Sequence, residues 1–295
     1  MKGRCAPSRG TPLLAATVAV LSSGCLASPS PLAPQLGGSV GSPSQGTLQG
    51  GEELPRKGPG FERYRPWGRA HWGTPALVRL VQEVAARVEL EAPSGAPLVV
   101  GDLSAKQGGR IPRHSSHRTG RDVDFLWYVT TPAGVPVRNP GFIHMGPDGL
   151  APLPGTDGYL KLDERRQWLL FKALLTSRAA NVQWLFVSRP VEAIIIDYAQ
   201  ARGEPLELIW HAENVMRQPR DAAPHADHVH VRIACSEDEA VLGCYGGGPH
   251  WEWLPPFSSL APLAAQDLAA IGLDDPWLPE ELAPSAATLA QSAGQ

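Results

Sequence analysis

The sequence predicts an α+β fold: a single domain in which a small antiparallel sheet carries a zinc site and is flanked by helices. Two observations lead to this prediction. Short segments of alternating polar and apolar residues, typical of half-buried strands, are interspersed with amphipathic segments typical of helices. In addition, histidines and aspartates cluster in two segments, 114–124 and 225–232, that contain or adjoin strand-like patterns.

The N-terminal segment is typical of a secretory signal. Basic residues precede an apolar run over 12–21, which is shorter than the roughly 20 residues that a membrane span needs. The following Ser22-Ser23-Gly24-Cys25 resembles a bacterial lipoprotein cleavage site, with ordinary cleavage after Ala27 as the alternative. We therefore expect residues 1–24 to be a signal peptide, and Cys25 to be lipidated and to anchor the chain to the outer membrane on its periplasmic side.

The regions on either side of the predicted domain lack the regular spacing of apolar residues that predicts helices and strands. Residues 25–62 are dense in Pro, Gly and Ser, which predicts a flexible tether. Residues 255–295 predict an irregular C-terminal tail with a short helix such as Leu263 to Ile271. The domain is therefore expected over residues 63–254, a length that supports one core of ordinary size.

Within the domain, local signals predict helices and strands in a definite order. Thr74-Pro75 supplies a cap and a first-turn proline to a helix, and apolar spacing predicts the other elements. The elements are a helix over 76–90, a strand over 98–100, a strand beginning at Asp122, a helix over 163–177, a strand over 182–188, a helix over 191–202 and a strand over 228–233. The Pro- and Gly-rich segment 130–156 is expected to be a lid or binding loop.

Histidine clustering is the strongest functional signal. Three of the nine histidines fall within 225–230, and His117 stands seven residues before Asp124. Zinc accepts imidazole nitrogen and carboxylate oxygen, and a catalytic zinc takes three protein ligands and leaves a position for water. His117, Asp124 and His230 meet that requirement.

Local patterns indicate how these side chains are presented. Alternation over 228–233 places His228 and His230 on one face of a strand, and Thr119-Gly120 favours a loop for His117. Burying two imidazoles without partners would cost about 1–3 kcal/mol each, which favours a metal over a purely structural role.

The motifs His114–Asp124 and His225–Arg232, in this order, resemble those of the penicillin-insensitive murein endopeptidases. That family is grouped with lysostaphin, D-alanyl-D-alanine carboxypeptidases and the hedgehog signalling domain. The resemblance implies one zinc ion per chain and hydrolysis of the D-alanyl to meso-diaminopimelyl cross-link between peptidoglycan stem peptides. The site residues that it implies are the metal ligands His117, Asp124 and His230, the catalytic base His228, and the nearby histidines His114 and His225.

Several alternatives remain open. Asp122 either fixes the tautomer of a ligating histidine or is itself a ligand, and the first interpretation is favoured. D-Ala-D-Ala carboxypeptidase activity and a non-catalytic, zinc-stabilised murein-binding module are the rival functions. The second is disfavoured because a structural zinc site needs no spare base such as His228. The chain has no His-Glu-x-x-His sequence, so a glutamate-base zincin arrangement is excluded.

Charge and cysteine usage complete the expectations. The net charge is −3 and basic stretches are lacking, so nucleic acid is not an expected partner. Cys235 and Cys244 are expected to form a disulfide in the periplasm. Four arginines around the histidines are expected to bind carboxylates of the stem peptides: Arg110, Arg113, Arg121 and Arg232.

Overall fold

The computed structural model describes residues 37–220 and 222–254. The predicted signal peptide, Cys25 and the predicted tail with its helix over Leu263–Ile271 lie outside the described residues. Among the helices of the described part, none is long and apolar enough to cross a bilayer.

Five helices and fifteen strands form within the described ranges. The helices are α1 (Pro75–Glu91), α2 (Glu164–Thr176), α3 (Arg189–Ala201), α4 (Leu206–Val215) and α5 (Glu237–Val241). The strands are β1 (Gly38–Ser42), β2 (Gln45–Gln49), β3 (Glu52–Glu53), β4 (Lys57–Gly58), β5 (Phe61–Arg63), β6 (Trp72–Gly73), β7 (Leu98–Val100), β8 (Asp122–Phe125), β9 (Val129–Thr130), β10 (Pro136–Val137), β11 (Leu150–Pro152), β12 (Tyr159–Leu162), β13 (Val182–Phe186), β14 (Met216–Arg217) and β15 (Val229–Ile233).

The main sheet has the strand order β14-β13-β15-β8-β7-β5-β4. Its four central strands, β13, β15, β8 and β7, pair antiparallel, whereas β14 with β13 and β5 with β7 pair in parallel. Apolar side chains of β8 and β15 such as Val123, Phe125, Val229 and Val231 belong to the hydrophobic core. The mixed sheet and its helices confirm the α+β prediction, and the sheet is wider than predicted.

The helices predicted from capping and apolar spacing are confirmed. The Thr74 hydroxyl accepts a hydrogen bond from Leu77 N at the start of α1, and the Asp163 carboxylate caps α2 in the same way. Helix α4 was not predicted: it follows Pro205 without a side-chain cap and is only 10 residues long. Helix α4 packs on α2, α3 and β13. These tertiary contacts stabilise a helix that has no clear local sequence signal.

Residues 37–62 are folded, so the tether prediction is wrong for this part of the segment. Strands β1 and β2 form an antiparallel hairpin, and β5 joins the main sheet beside β7. Leu48, Leu54 and Phe61 are at most 3% exposed. Backbone pairing and these few buried side chains outweigh a composition rich in Pro, Gly and Ser. Residues 25–36 lie outside the described part.

The segment 130–156, predicted as a lid, contributes β10 and β11 to a second sheet of order β10-β9-β12-β11, whose other strands lie at or beyond the ends of the segment. Trp127 and Tyr128 at its base are 1% and 3% exposed, so both pack in the core. The indole of Trp127 donates to Ala226 O at 2.9 Å and thereby ties this sheet to the second histidine motif. Most of the segment lies between strands, and the pairing of β9 with β12 brings its two ends together.

The predicted disulfide is confirmed: Cys235 and Cys244 are bonded, with their Cα atoms 6.0 Å apart. The bridge encloses α5, which begins with a capping box formed by Ser236 and Glu239. It therefore holds the chain directly after β15, the strand that carries His230.

Candidate metal centre

Two neighbouring strands position the acidic and basic groups of the site. In the antiparallel pairing of β8 with β15, Asp124 lies opposite His230 and Asp122 lies opposite Arg232. Since alternate residues of a strand share a face, all four side chains project to the same side, away from the valines of the core. The strand period thus places two carboxylates against an imidazole and a guanidinium.

His117 lies on the loop before β8, as predicted. Its backbone is left-handed, with φ 61°, a conformation that is uncommon outside glycine and is found at functional sites. Its backbone N–H donates to Asp122 Oδ2 at 3.0 Å, and its ring Nδ1 lies 2.8 Å from Leu103 O. With Nδ1 donating to this carbonyl, Nε2 is the ring nitrogen directed at the site, and it offers a lone pair once it has lost its proton.

Three imidazole nitrogens converge on one oxygen of Asp124. Asp124 Oδ1 lies 3.2 Å from His117 Nε2, 3.4 Å from His228 Nε2 and 3.7 Å from His230 Nδ1. Tetrahedral zinc with bonds of about 2.0–2.1 Å separates its ligand atoms by about 3.3–3.4 Å. The spacing of these groups therefore fits a single zinc ion.

The innermost polar atoms have no hydrogen-bond partner. His117 Nε2 and both carboxylate oxygens of Asp124 are buried without a hydrogen bond of normal geometry, and His117 Nε2 and Asp124 Oδ1 face each other at 3.2 Å. Orphaned buried polar atoms are costly and rare, at about 1–3 kcal/mol each and more when charged. Their convergence is the observation that most favours a bound cation.

The remaining histidines of both motifs surround this point. His114 Nδ1 lies 3.9 Å from Asp124 Oδ2. Potential ligand atoms of His114, His117 and Asp124 lie within 4.8 Å of one another, as do those of His225, His228 and His230. The two sequence motifs therefore form one site, with His114 and His225 beside its centre.

Burial and charge set the protonation of the metal-free site. Burial lowers the pKa of His230 to about 4, so its ring is neutral at pH 7. Burial also disfavours charge on His117, but the Asp124 carboxylate outweighs it and raises the pKa of His117 to about 9. Since a ligating imidazole must be neutral, a metal ion at His117 would displace this proton.

Asp122 orients its neighbours. Its Oδ1 accepts from His230 Nε2 at 2.9 Å and from Arg232 Nε at 2.6 Å, while Oδ2 accepts from the backbone of His117. Burial alone would raise the pKa of Asp122, but the charge of Arg232 and these hydrogen bonds hold it well below its usual range. Because both oxygens are engaged, the orienting interpretation is favoured over direct ligation.

Two carboxylates of the site were not predicted from the sequence. Asp227 Oδ1 lies 2.7 Å from His228 Nδ1, and Asp102 Oδ2 lies 3.1 Å from His114 Nε2. Strand alternation would turn Asp227 away from His228, but β15 begins only at Val229, which allows this contact. Asp102 follows β7, and its position beside Asp124 depends on the pairing of β7 with β8.

The four predicted substrate-binding arginines separate into different environments. Arg121 is fully buried, and its guanidinium donates to Ser39 Oγ, Ile233 O and Tyr245 O. The substrate-binding prediction for Arg121 is therefore wrong, because no substrate can reach it. Arg113 and Arg232 line the cleft beside the histidines, whereas Arg110 is exposed but is not part of that wall.

The site opens into a cleft of about 920 Å³. Its lining includes His114 and Ser115 of the first motif, Phe186 of β13, and His225, His228 and His230 of the second motif. A cleft of this size accommodates an extended peptide or a ligand of comparable volume. The candidate centre is thus accessible from outside although its innermost atoms are buried.

Comparison with known proteins supports the resemblance to the penicillin-insensitive murein endopeptidases. The family model described as penicillin-insensitive murein endopeptidase matches residues 39–140, a range that includes the first motif and ends before the second. Among curated proteins, a penicillin-insensitive murein endopeptidase of Haemophilus influenzae is 27% identical over 214 residues, which cover 68% of this chain and 64% of that protein.

Two further relatives carry the same name. The protein of Escherichia coli O157:H7 is 27% identical over 204 residues, covering 68% of this chain and 67% of the relative. The protein of Klebsiella pneumoniae subsp. pneumoniae is 35% identical over 89 residues, 30% of this chain and 32% of the relative. The chain thus spans less than two thirds of the Haemophilus influenzae relative and about one third of the Klebsiella one.

Proposed function

We propose that this chain, a relative of the penicillin-insensitive murein endopeptidases, is a zinc-dependent peptidase that hydrolyses peptide cross-links of peptidoglycan. The bond implied by the resemblance is the one between D-alanine and meso-diaminopimelate. The observation that carries the proposal is the convergence of buried, unsatisfied atoms of His117 and Asp124 with His228 and His230 in an open cleft.

His117, Asp124 and His230 are the proposed metal ligands, through Nε2, a carboxylate oxygen and Nδ1. The two histidines are held by neighbours: Leu103 O fixes the ring of His117, and Asp122 fixes the ring of His230 through Nε2. When bound, zinc polarises a substrate carbonyl and lowers the pKa of water to about 7. One zinc ion per chain is expected.

His228 is the proposed general base. Its Nδ1 is held by Asp227 at 2.7 Å, which leaves Nε2 directed toward the centre of the site. In this tautomer Nε2 accepts a proton from the attacking water and then donates it to the nitrogen of the leaving amine. The ligands hold the metal, and the pair of Asp227 and His228 moves the proton.

We also propose a periplasmic location, because cross-linked peptidoglycan peptides are the substrate class. Removal of residues 1–24 as a signal peptide, lipidation of Cys25 and anchoring to the outer membrane remain predictions. Mass spectrometry of the mature protein tests them: a lipid-modified N-terminal cysteine supports the anchor, and an unmodified N-terminus beyond Cys25 contradicts it.

Digestion of defined cross-linked muropeptide dimers by the purified protein tests the proposed activity. Mass spectrometry should find two monomers from each dimer. Chelator should stop the reaction, and added zinc should restore it. Release of free D-alanine from uncross-linked stems instead would indicate a carboxypeptidase, and intact dimers with one retained zinc would indicate a binding module.

Two variants separate metal binding from proton transfer. His117→Ala should lose both zinc and activity, because it removes a proposed ligand. His228→Ala should retain about one zinc per chain and lose about 100-fold or more in kcat, the typical contribution of a general base. A His228→Ala protein that loses its zinc would instead assign His228 to the ligand set.

A further inference from the structure

The cleft continues beyond the candidate metal centre into a second cavity. This cavity has a volume of about 660 Å³ and shares the wall formed by Trp184, Arg217, Pro219 and Arg220 with the cleft. Its far side includes Trp251, Arg189 and Glu213. The accessible space therefore has two arms, with the histidines in the first arm and Arg217 in the wall between the two.

Aromatic rings of β13 lead from the histidines to this second arm. Phe186 contacts the ring of His230, with 5.2 Å between centroids, and Trp184 stacks beside Phe186 at 5.9 Å. Trp184 is fixed in turn by an indole hydrogen bond to Gly247 O and by edge contact with Trp251. The wall that joins the two arms is thus aromatic, and its Trp184 ring is held by contacts on two sides.

Arg217 is held over this wall without a carboxylate partner. Its guanidinium lies 5.4 Å from the centre of the Trp184 ring, within the range of cation–π attraction. Strand β14, which carries it, pairs with β13 so that Arg217 stands beside Phe186. The side chain is exposed, and its planar fork is available to bind a carboxylate.

The charges around the second arm favour an anion. Arg232 is paired with Asp122, and Arg189 is paired with Glu192, so these two guanidinium groups are already engaged. Among the described residues, no carboxylate forms an ion pair with Arg217 or Arg220. Glu213 is the opposing charge in the lining, and it leaves an excess of positive charge on the wall.

We propose that Arg217, assisted by Arg220, forms a subsite that binds a free carboxylate of an acidic peptide while the scissile bond lies at the histidines. Arg217 is thereby a specificity-determining residue and takes no part in bond cleavage. The inference rests on the proposed function for the identity of the peptide, since stem peptides carry carboxylates on both sides of a cross-link. A branched substrate would use both arms of the cleft.

The test compares cross-linked muropeptide dimers that have free carboxylates with dimers in which those carboxylates are amidated. For the wild-type protein, kcat/KM should be higher with free carboxylates. Arg217→Ala should reduce this preference about tenfold, mainly through KM, because it removes a charge-assisted hydrogen bond to the carboxylate, and a factor of ten corresponds to about 1.4 kcal/mol. Arg217→Lys should recover part of it, since the charge remains without the fork. Arg79→Ala, an exposed substitution on α1, is the matched control.

A binding measurement separates this inference from the proposed function. Isothermal titration calorimetry with an uncross-linked stem peptide reports on the subsite even if no dimer is cleaved. Weaker binding to the Arg217→Ala protein, with no difference for the amidated peptide, supports the subsite irrespective of catalysis. Unchanged preference and unchanged binding in Arg217→Ala and in the double variant with Arg220→Ala would overturn it, whether or not dimers are cleaved.

Discussion

At the scale of single residues, Asp227 orients His228, the proposed general base. The Asp227 carboxylate lies 2.7 Å from His228 Nδ1. The ring of His230 instead bonds to Asp122. The pair of Asp227 and His228 resembles the carboxylate–histidine pairs of other hydrolytic sites, in which the carboxylate selects the tautomer of the histidine. Asp122 serves His230 in the corresponding way.

Asp227→Asn should lower kcat about 10–100-fold, because a neutral amide holds the His228 tautomer less firmly. Zinc content, measured by atomic absorption, should remain that of the wild type, and KM should change little. Asp197→Asn, an exposed substitution on α3, is the control. A kcat within twofold of the wild type would remove Asp227 from the mechanism.

Arg121 is a structural residue whose charge is fully used inside the protein. It connects β1, the end of β15 and the segment after α5 through Ser39, Ile233 and Tyr245. Arg121→Ala leaves these buried acceptors unpaired and should lower the free energy of unfolding by about 3 kcal/mol in chemical denaturation.

The exposed Arg110→Ala provides the comparison for Arg121, with an expected change within about 0.5 kcal/mol. Equal stability of the two variants would contradict the structural assignment of Arg121. It would also reopen the expectation that Arg121 faces a substrate.

Helix α5 and its disulfide illustrate stability at the scale of elements. The helix has only five residues, too few for stability from its own hydrogen bonds. Glu239 accepts from Ser236 N and also from Ser39 N of β1, which lies 200 residues earlier. The bridge between Cys235 and Cys244 holds both ends of this element against the sheet.

Replacing Cys235 and Cys244 together by Ser should lower the free energy of unfolding by about 2–3 kcal/mol, the chain-entropy value for a loop of this length. Thermal unfolding under oxidising conditions measures this loss. Reductant should bring the wild type to the level of the variant and leave the variant unchanged. A variant as stable as the oxidised wild type would contradict a stabilising role for the bridge.

At the scale of the whole molecule, the proposed zinc site joins parts that are distant in the chain. His117 lies on the loop before β8, whereas His230 lies more than a hundred residues later on β15. A ligand that binds only the folded state stabilises it according to its concentration relative to Kd. Metal binding and folding stability should therefore be coupled.

Zinc at a free concentration of about 100 times its Kd should raise the free energy of unfolding by about 2.7 kcal/mol relative to chelated protein. Thermal scans with and without chelator measure the difference. The His117→Ala protein should give the same melting temperature in both conditions. An equal zinc response in wild type and His117→Ala would show that the stabilising ion binds elsewhere.

Much of the element pattern and of the site could be predicted from local sequence. Capping by Thr74 and Asp163, the alternation in β15 and the spacing of the two motifs are signals within a few residues of the feature they predict. They led to the right helices, to His117 on a loop and to Asp124 and His230 on strands. The prediction that the two motifs form one site followed from the three protein ligands that a catalytic zinc requires.

Only the tertiary structure decided what depends on strand pairing. The register of β8 with β15 sets Asp124 against His230, and the contacts of Arg121 with residues more than 80 positions away remove it from the cleft. Within residues 37–62, β5 joins the main sheet by pairing with β7. Arg217 lies at the cleft because β14 pairs with β13. Sequence by itself determined the types and spacing of the reactive groups, since these follow from local patterns. Their partners and exposure came from long-range pairing, which no local pattern encodes.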